Sequence, residues 1–419
     1  MDITLHHPTF SDRIEAPSSK SALHRPMIAA AFADAPTRLT LSGVGDDIAA
    51  TAACLSAIGV SVVTQGNEMC ITPPSRFLDG VVADCMESGS TLRFLVPVVA
   101  ALGLTVTFLR RGRLPQRPME PLASELSRHG VTLTEGNDGS LTVSGSLAPG
   151  AYSIAANVSS QFVTGLLLAL SLLPAPSVLT LTGEIESAPY IDMTVQTLAA
   201  FGASPDIREG GRVFCIPGSK AQPLHTPGFI ASEGDYSGAA FPLSAGAIGK
   251  TPVTVTGLLP DSAQGDSAIL RVLEEFGATV QREERTRSIT VFPAPLHGIR
   301  IDAKQIPDLV PVLAVVACAA QGDTEIVGAA RLRIKESDRI ATTAALIRDL
   351  GGEVEEREDG LLVRGKGRLT GGTVSGAGDH RIVMSAAVAA LLCDDPVTIK
   401  GADAVKKSFP LFFETALMQ

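Results

Sequence analysis

Two kinds of apolar run alternate along the chain. Runs of the first kind are apolar on every face, and each opens from a short polar loop. They begin near Ser21, Ser90, Ser160, Ser237, Asp308 and Asp379, roughly 70 residues apart. Runs of the second kind are amphipathic and stop at a glycine, as in Leu122 to Gly130 and Ile269 to Gly277. The stop glycines, Gly59, Gly130, Gly202, Gly277 and Gly351, recur at roughly the same interval. Strand-like residues follow each one, for example Val60-Ser61-Val62-Val63 and Ala278-Thr279-Val280. Glycine just past a helix and then a β run is a stop signal. Two interleaved series with one period predict six copies of one unit of about 70 residues, which fills a chain of 419.

The polar loops hold the candidate chemistry. Ser18 to Arg25 sets hydroxyls, Lys20 and Arg25 at the head of an apolar helix reaching Phe32. Free N–H groups, the positive helix end and Lys20 together suit an anion. One such loop would pass for an ordinary N-cap; the repetition favours the anion. Glu87 to Arg93 heads the second helix, with Gly89 allowing close backbone approach and Arg93 expected to pair with a carboxylate. The loop Arg110 to Pro118 carries four arginines, which suits solvated charge or an anion. Val158 to Phe162 supplies Ser159, Ser160 and Gln161; Ser187 to Tyr190 precedes the third amphipathic helix. Asp308 reads as an N-cap carboxylate, and Arg331 to Arg339 as a charge-dense helix start. Residues 1–15 read as a lone opening strand and turn. Thr37 to Leu41 reads as a strand, with Asp46 and Asp47 capping the helix after it. Pro223 to Ser232 reads as an aperiodic crossing linker.

Composition narrows the classes. Hydrophobic residues make up 45% and charged residues 19%, yet no uninterrupted run is long enough for a membrane span. The first residues lack the basic head and apolar core of a secretory signal. A net charge of −10, no Trp and three Tyr argue against nucleic acid as a partner. The six cysteines form no CxxC pair, so no metal site or redox dithiol is expected; they read as reduced core thiols of a cytoplasmic protein.

The polar stretches also carry a family likeness. In order they are Ser19-Lys20-Ser21 with Arg25, Ser88-Gly89-Ser90-Thr91 with Arg93, and Gln116-Arg117-Pro118. Ser159-Ser160-Gln161, Pro307-Asp308, Arg333 to Arg339, Asp379-His380-Arg381 and Lys407-Ser408-Phe409-Pro410 follow. Together they cover nearly the full length and resemble the 5-enolpyruvylshikimate 3-phosphate synthase family of enolpyruvyl transferases. Lys335-Glu336-Ser337-Asp338-Arg339 is the most specific piece. The resemblance implies an α/β fold of two similar domains, each of three βαβαββ units in an inside-out α/β barrel, with the active site in the interdomain cleft. It implies residues 1–18 plus 233–419 as one discontinuous domain and 19–232 as the other, with chain crossings near Pro17 to Lys20 and Ile230 to Asp235.

The resemblance further implies transfer of the carboxyvinyl group of phosphoenolpyruvate to the 5-hydroxyl of shikimate 3-phosphate, by addition and then loss of phosphate. Asp308 is the implied base; Glu336, Lys20 and His380 are the proton-transfer candidates. Lys20, Gly89, Arg117, Gln161, Arg339, Arg381 and Lys407 are implied around phosphoenolpyruvate. Lys20, Ser21, Arg25, Ser159, Ser160, Gln161, Ser187, Asp308 and Lys335 are implied around shikimate 3-phosphate, with Tyr190 packing on its ring. No cofactor or metal is implied, nor a nucleic-acid or membrane partner, and a monomer is expected. Glycine at position 89 implies sensitivity to glyphosate. Glu87, Ala188 and Arg331 depart from the residues common in the family, and Glu87 is expected to turn toward a cation. The sister enzyme that uses UDP-N-acetylglucosamine is the nearest alternative, but its reactive loop Cys has no counterpart between Arg110 and Pro118. A closing anion binder without chemistry is the other.

Overall fold

Helices of the two kinds alternate in the structure, a computed structural model that describes residues 1–418. Residue 419, the end of the implied discontinuous domain, lies outside the described residues. The helices are α1 (Lys20–Ala30), α2 (Asp46–Ala57), α3 (Gly89–Ala101), α4 (Leu122–Arg128), α5 (Ser160–Leu172) and α6 (Ala188–Ala200). They continue with α7 (Tyr236–Ile248), α8 (Ile269–Phe276), α9 (Val310–Ala319), α10 (Arg339–Asp349) and α11 (His380–Ala389).

The odd-numbered helices are the all-apolar runs, and they are interior. Every residue of α11 and all but the last of α9 are buried. Polar side chains cap several of their heads: Ser88, Ser159, Asp235 and Asp379 each accept a backbone N–H at the start of α3, α5, α7 and α11. The even-numbered helices are one-sided; α8 buries Ile269, Leu270, Val272, Leu273 and Phe276 and exposes Arg271, Glu274 and Glu275. Each ends at its glycine in the left-handed region, with φ between 83° and 111° at Gly59, Gly130, Gly202, Gly277 and Gly351. A side chain there would crowd the carbonyl, which is why the stop is glycine.

Four of the five four-stranded sheets share one order along the chain, first-second-fourth-third, and in the fifth a late strand takes the first strand's place. In the sheet made by Val81–Asp84, Val106–Leu109, Val131–Glu135 and Leu141–Gly145, the first two strands run parallel, with Val81 opposite Val106. The fourth strand is antiparallel to both its neighbours. The parallel pair needs a crossover, which the buried helix supplies. The pattern β-α-β-α-β-β recurs in order through Ala151–Ala155 and its partners and through Arg300–Asp302 and its partners. The sixth sheet has three strands, Gly372–Ser375, Val397–Lys400 and, from the other end of the chain, Ile3–Leu5.

The chain divides into two compact units. The terminal unit holds Met1–Ser19, Ser42–Gly45 and everything described from Glu233 onward; the middle unit holds Lys20–Leu41 and Asp46–Ser232. In the terminal unit α7, α9 and α11 pack on one another beneath three sheets. Phe412 closes this core, with ring centroids 6.2, 6.4 and 5.5 Å from Phe10, Phe241 and Phe409.

Two local expectations need correction. Residues 1–15 form three strands rather than one: Ile3–Leu5, Thr9–Phe10 and Arg13–Glu15, each in a different sheet. The stretch 223–232 is not plain linker, because Phe229–Ile230 pairs in parallel with the strand Thr37–Thr40 and supplies the first strand of that sheet. Two-residue strands carry no alternation to read. Among the described residues, no helix is long and apolar enough to cross a membrane.

Gly277 offers a test of the stop signal. Its φ is 111°, and an added Cβ would lie 3.1 Å from the Pro295 carbonyl oxygen. Gly277→Ala should cost about 1–2 kcal/mol, read as a melting temperature lower by about 2–8 °C. An unchanged melting temperature would mean that the glycine is not needed to end α8.

Candidate functional site

The polar helix heads gather charge in both units. In the middle unit, Lys20 on the first turn of α1 places Nζ 2.9 Å from Oδ2 of Asp47. Asp47, expected only as a cap, is the counter-ion of the first motif lysine. Ser21 follows on the same turn, and its carbonyl accepts from the Arg25 guanidinium. Arg25 is buried and spans three helices. Its Nε donates to Thr194 Oγ1 at 2.9 Å, and Nη2 to Thr164 Oγ1 at 3.2 Å and the Tyr190 carbonyl at 2.8 Å. Most of its five N–H groups are thus engaged within the protein. Burial lowers its guanidinium pKa to about 10.

Gln161 is held from both ends. Its Oε1 accepts from Arg93 Nη1 at 2.7 Å, and its Nε2 donates to Ser90 Oγ at 2.9 Å. Ser159 caps the same turn, Ser160 is buried as its first residue, and Arg93 also donates to the Pro118 carbonyl at 3.0 Å. Arg93 therefore fixes Gln161 and a loop carbonyl, where a carboxylate partner was expected. Gly89 lies against Arg117: a Cβ at residue 89 would be 2.7 Å from Arg117 Nη1. The missing side chain is the space that the guanidinium occupies. Ser187, at the head of α6, is buried with φ 56°, a conformation costly for a residue with a Cβ and one that tends to cluster at working sites. Ala188 begins α6 directly after it.

The arginine loop is not one cradle. Arg110 is buried, and its guanidinium pairs with Glu135 and donates to the carbonyls of Gly139 and Ser140. Arg111 pairs with Asp84. Charge density alone suggested a shared anion, but these two have structural partners, and Arg117 is the one against Gly89. Glu87 accepts the Arg113 backbone N–H at 3.2 Å, so its carboxylate turns onto this loop.

In the terminal unit the site is built on one guanidinium. Arg339, on the first turn of α10, is almost wholly buried. Its Nε and Nη2 donate to the two carboxylate oxygens of Asp379 at 2.8 and 3.2 Å. Nη1 donates to Asp308 Oδ1 at 2.7 Å, and Nη2 to Glu336 Oε2 at 2.8 Å. Asp308 is shared: its Oδ2 is 3.0 Å from Arg381 Nη2, and its Oδ1 is 3.9 Å from Lys335 Nζ. Arg381 Nη1 also donates to the Asp308 carbonyl at 3.1 Å. Asp308 does not cap a helix. It sits in the turn Pro307–Leu309, which has no side-chain cap bond, and its carboxylate faces three cations. His380 is buried beside it in sequence to Arg381, with Nδ1 3.9 Å from Asp379 Oδ1. Lys407 Nζ donates to the Gly378 carbonyl at 3.1 Å, just before the α11 head. Arg331 donates to the Lys304 carbonyl at 3.0 Å.

The acid–base character follows from this packing. Burial favours a neutral Asp308, but Arg381, Lys335 and Arg339 outweigh it and hold the carboxyl well below its ordinary range. Burial pulls the Lys335 ammonium down to about 8, against the pull of Asp308 and Glu336. Burial also opposes charge on Arg339, yet Asp379, Glu336 and Asp308 keep it firmly protonated. Asp379 is held at about 2 by Arg339 despite its burial. Asp379, quoted in a motif and given no role of its own, proves to be the arginine's anchor. Asp266 was missed altogether. It is buried, accepts from Ser237 Oγ, and is pushed up to about 6 by burial and then by Asp308.

This arrangement can bind anions, hold a carboxylate ionised among cations, and bring a second carboxylate, Glu336, to the same arginine. The EPSP synthase (3-phosphoshikimate 1-carboxyvinyltransferase) family model matches residues 7–416. This chain belongs to the EPSP synthase family. The 3-phosphoshikimate 1-carboxyvinyltransferase of Clostridium kluyveri is 39% identical over 98% of this chain and 96% of its own length. That of Clostridium novyi is 36% identical over 96% and 93%. Among solved structures, an EPSP synthase of Acinetobacter baumannii superposes with a TM-score of 0.80 at 26% identity, covering 100% of this chain and 99% of that one. The enolpyruvyl transferase NikO of Streptomyces tendae shares the fold, with a TM-score of 0.79 at 19% identity over 99% of this chain and 95% of that one.

The Asp379–Arg339 clamp sets an acid limit on stability. Asp379 has a folded pKa of about 2 against 3.8 for the ordinary carboxyl. Its contribution is therefore complete above about pH 4 and is lost as pH falls toward 2. Asp379→Asn should lower stability near neutrality by about 3 kcal/mol and flatten the fall below pH 4. Melting temperatures from pH 6 to pH 3 check both; parallel curves for the two proteins would remove Asp379 from the acid response.

Proposed function

We propose that this chain is a 3-phosphoshikimate 1-carboxyvinyltransferase of the shikimate pathway, toward aromatic amino acids. It moves the carboxyvinyl group of phosphoenolpyruvate to the 5-hydroxyl of shikimate 3-phosphate and releases phosphate. The observation that carries this reading is Asp308, a carboxylate set among Arg339, Arg381 and Lys335 with Glu336 on the same arginine. A protein that only captured anions would lose affinity by placing two carboxylates there. A reaction that adds a hydroxyl across a double bond and then expels phosphate needs both a base and an acid among its cations.

In this reading Asp308 takes the proton of the 5-hydroxyl as the oxygen attacks C2 of phosphoenolpyruvate. Glu336, Lys20 or His380 gives a proton to C3. A C3 proton then leaves, the double bond re-forms, and the C2–O bond to phosphate breaks. Lys20, Arg117, Arg339, Arg381 and Lys407, with Gly89 and Gln161, hold phosphoenolpyruvate. Ser21, Arg25, Ser159, Ser160, Gln161, Ser187, Asp308 and Lys335, with Lys20, hold shikimate 3-phosphate. Tyr190, whose ring centroid lies 6.0 Å from the Arg25 guanidinium carbon, packs on the substrate ring. Asp308 is a weak base while two guanidinium groups grip it. A phosphate that recruits Arg339 and Arg381 loosens that grip, so substrate binding itself raises the basicity of Asp308. The chain acts as a monomer in the cytoplasm.

The direct test is phosphate release from phosphoenolpyruvate, which should require shikimate 3-phosphate; release without it, or none with it, would overturn the reading. Asp308→Ala should lower kcat by about 100-fold or more while changing either KM far less. A near-normal kcat would assign the base role elsewhere.

Gly89 tests the phosphoenolpyruvate pocket. The Cβ of Gly89→Ala would displace the Arg117 guanidinium, a flexible group, so the fold should survive. Glyphosate should inhibit the unmodified protein in competition with phosphoenolpyruvate. Gly89→Ala should weaken that inhibition about tenfold and raise KM for phosphoenolpyruvate by less. Equal inhibition of both proteins would take Gly89 out of the inhibitor's reach.

A further inference from the structure

A cavity of about 740 Å3 opens in the terminal unit, and none of the residues assigned above to substrate or proton transfer lines it. That size falls within the range of small-molecule sites. Phe10, Ile248, Val253, Leu391, Leu392 and Cys393 give it an apolar side, and polar residues such as Thr9 and Thr251 line the rest. Its charged groups are Lys250, Arg368 and Asp394, and His7 also lines it. Arg368 and Asp394 pair with each other, which neutralises both. Lys250 is exposed and has no carboxylate partner among the described residues, so the cavity carries surplus positive charge in a chain of net −10.

The location separates the cavity from the catalytic cluster. It lies at the C-terminal ends of two core helices: α7 ends at Ile248, and α11 runs into Ala390 and Leu391. The head of α11 carries His380 and Arg381. A helix of ten residues spans about 15 Å. A ligand in the cavity therefore sits a helix length from the Arg381–Asp308 pair.

We propose that this cavity is a second ligand site, independent of phosphoenolpyruvate, for a small amphipathic organic anion: an apolar ring body seated on the lining and a carboxylate, sulfonate or phosphate facing Lys250. The apolar side seats the ring body, and the lysine selects the sign of charge.

Two fluorescent probes of nearly the same body test this on the full chain: 8-anilinonaphthalene-1-sulfonate, an anion, and N-phenyl-1-naphthylamine, which is neutral. The anion should bind saturably at one site and stay bound when phosphoenolpyruvate is added in excess. Lys250→Glu should weaken the anion about tenfold and change the neutral probe by less than about twofold. The protein has no tryptophan, so Thr251→Trp at the cavity places a single donor there. Energy transfer from it to the bound anion should accompany binding. Unsaturable binding, displacement by phosphoenolpyruvate, or equal response of the two probes to Lys250→Glu would each overturn the proposal. So would absence of energy transfer in a folded Thr251→Trp protein. Lys250 is at the surface, and its variant keeps the test decisive even if Thr251→Trp does not fold.

Discussion

A guanidinium gathered with three carboxylates is the interaction on which the charged end of the terminal unit depends. Arg339 reaches Asp379 at the head of α11, Asp308 in the turn before α9, and Glu336 just before α10. One residue thus fixes three helix heads relative to one another. Its removal would take a guanidinium from all three acids at once and leave Asp379, which is wholly buried, with no cationic side chain in hydrogen-bond reach, a far larger loss than any surface pair could represent. Counting Arg381 and Lys335, the cluster balances three positive charges against three negative ones. In the proposed reaction an arriving anion would compete for cations already in use, which would tie binding to a change in the strength of Asp308.

The repeated unit explains why such clusters arise at one end of each core helix. The buried helix crosses between parallel strands, so its interior is apolar and its chemistry is confined to its head. There, unpaired N–H groups and a polar loop coincide. The cap and the proposed anion site are the same place read twice. Asp379 caps α11 and anchors Arg339; Ser159 caps α5 beside Gln161. At the far ends of α7 and α11 lies the cavity lined by Ile248 and Leu391, where apolar side chains stand beside Lys250, Arg368 and Asp394.

The sequence made the helices legible because their signals are local. A polar head, an apolar run and a stop glycine lie within a few turns of one another, and the left-handed φ at all five stop glycines follows from that. The partners of the charged groups were not legible. Arg339 and Asp379 are forty residues apart, and Arg25 meets Thr164 at a separation of 139; such pairs depend on how units stack. The four arginines of residues 110–117 looked alike in sequence and are separated by their neighbours: Glu135 and Asp84 claim two, and Gly89 makes room for Arg117. Asp266 gave no signal because a single acid in a short turn resembles any loop residue. The three opening strands were too short for periodicity to show. The family likeness named site residues, but it did not say what holds them.

The pairing of Ile3–Leu5 with Val397–Lys400 puts the first strand of the chain beside nearly the last. On a ribosome these partners emerge far apart in time. At about 5–20 residues per second, roughly 20–80 s separates them. The middle unit is finished long before, while Ile3–Leu5 and Arg13–Glu15 wait with their edges exposed. The waiting strands are three residues long, and Asp12, Arg13 and Glu15 put charge beside and within the second. Short, charged edges are poor templates for stray pairing. The fragmentation of the first fifteen residues is thus a form of protection during synthesis: the stretch that must wait longest is also the least able to aggregate.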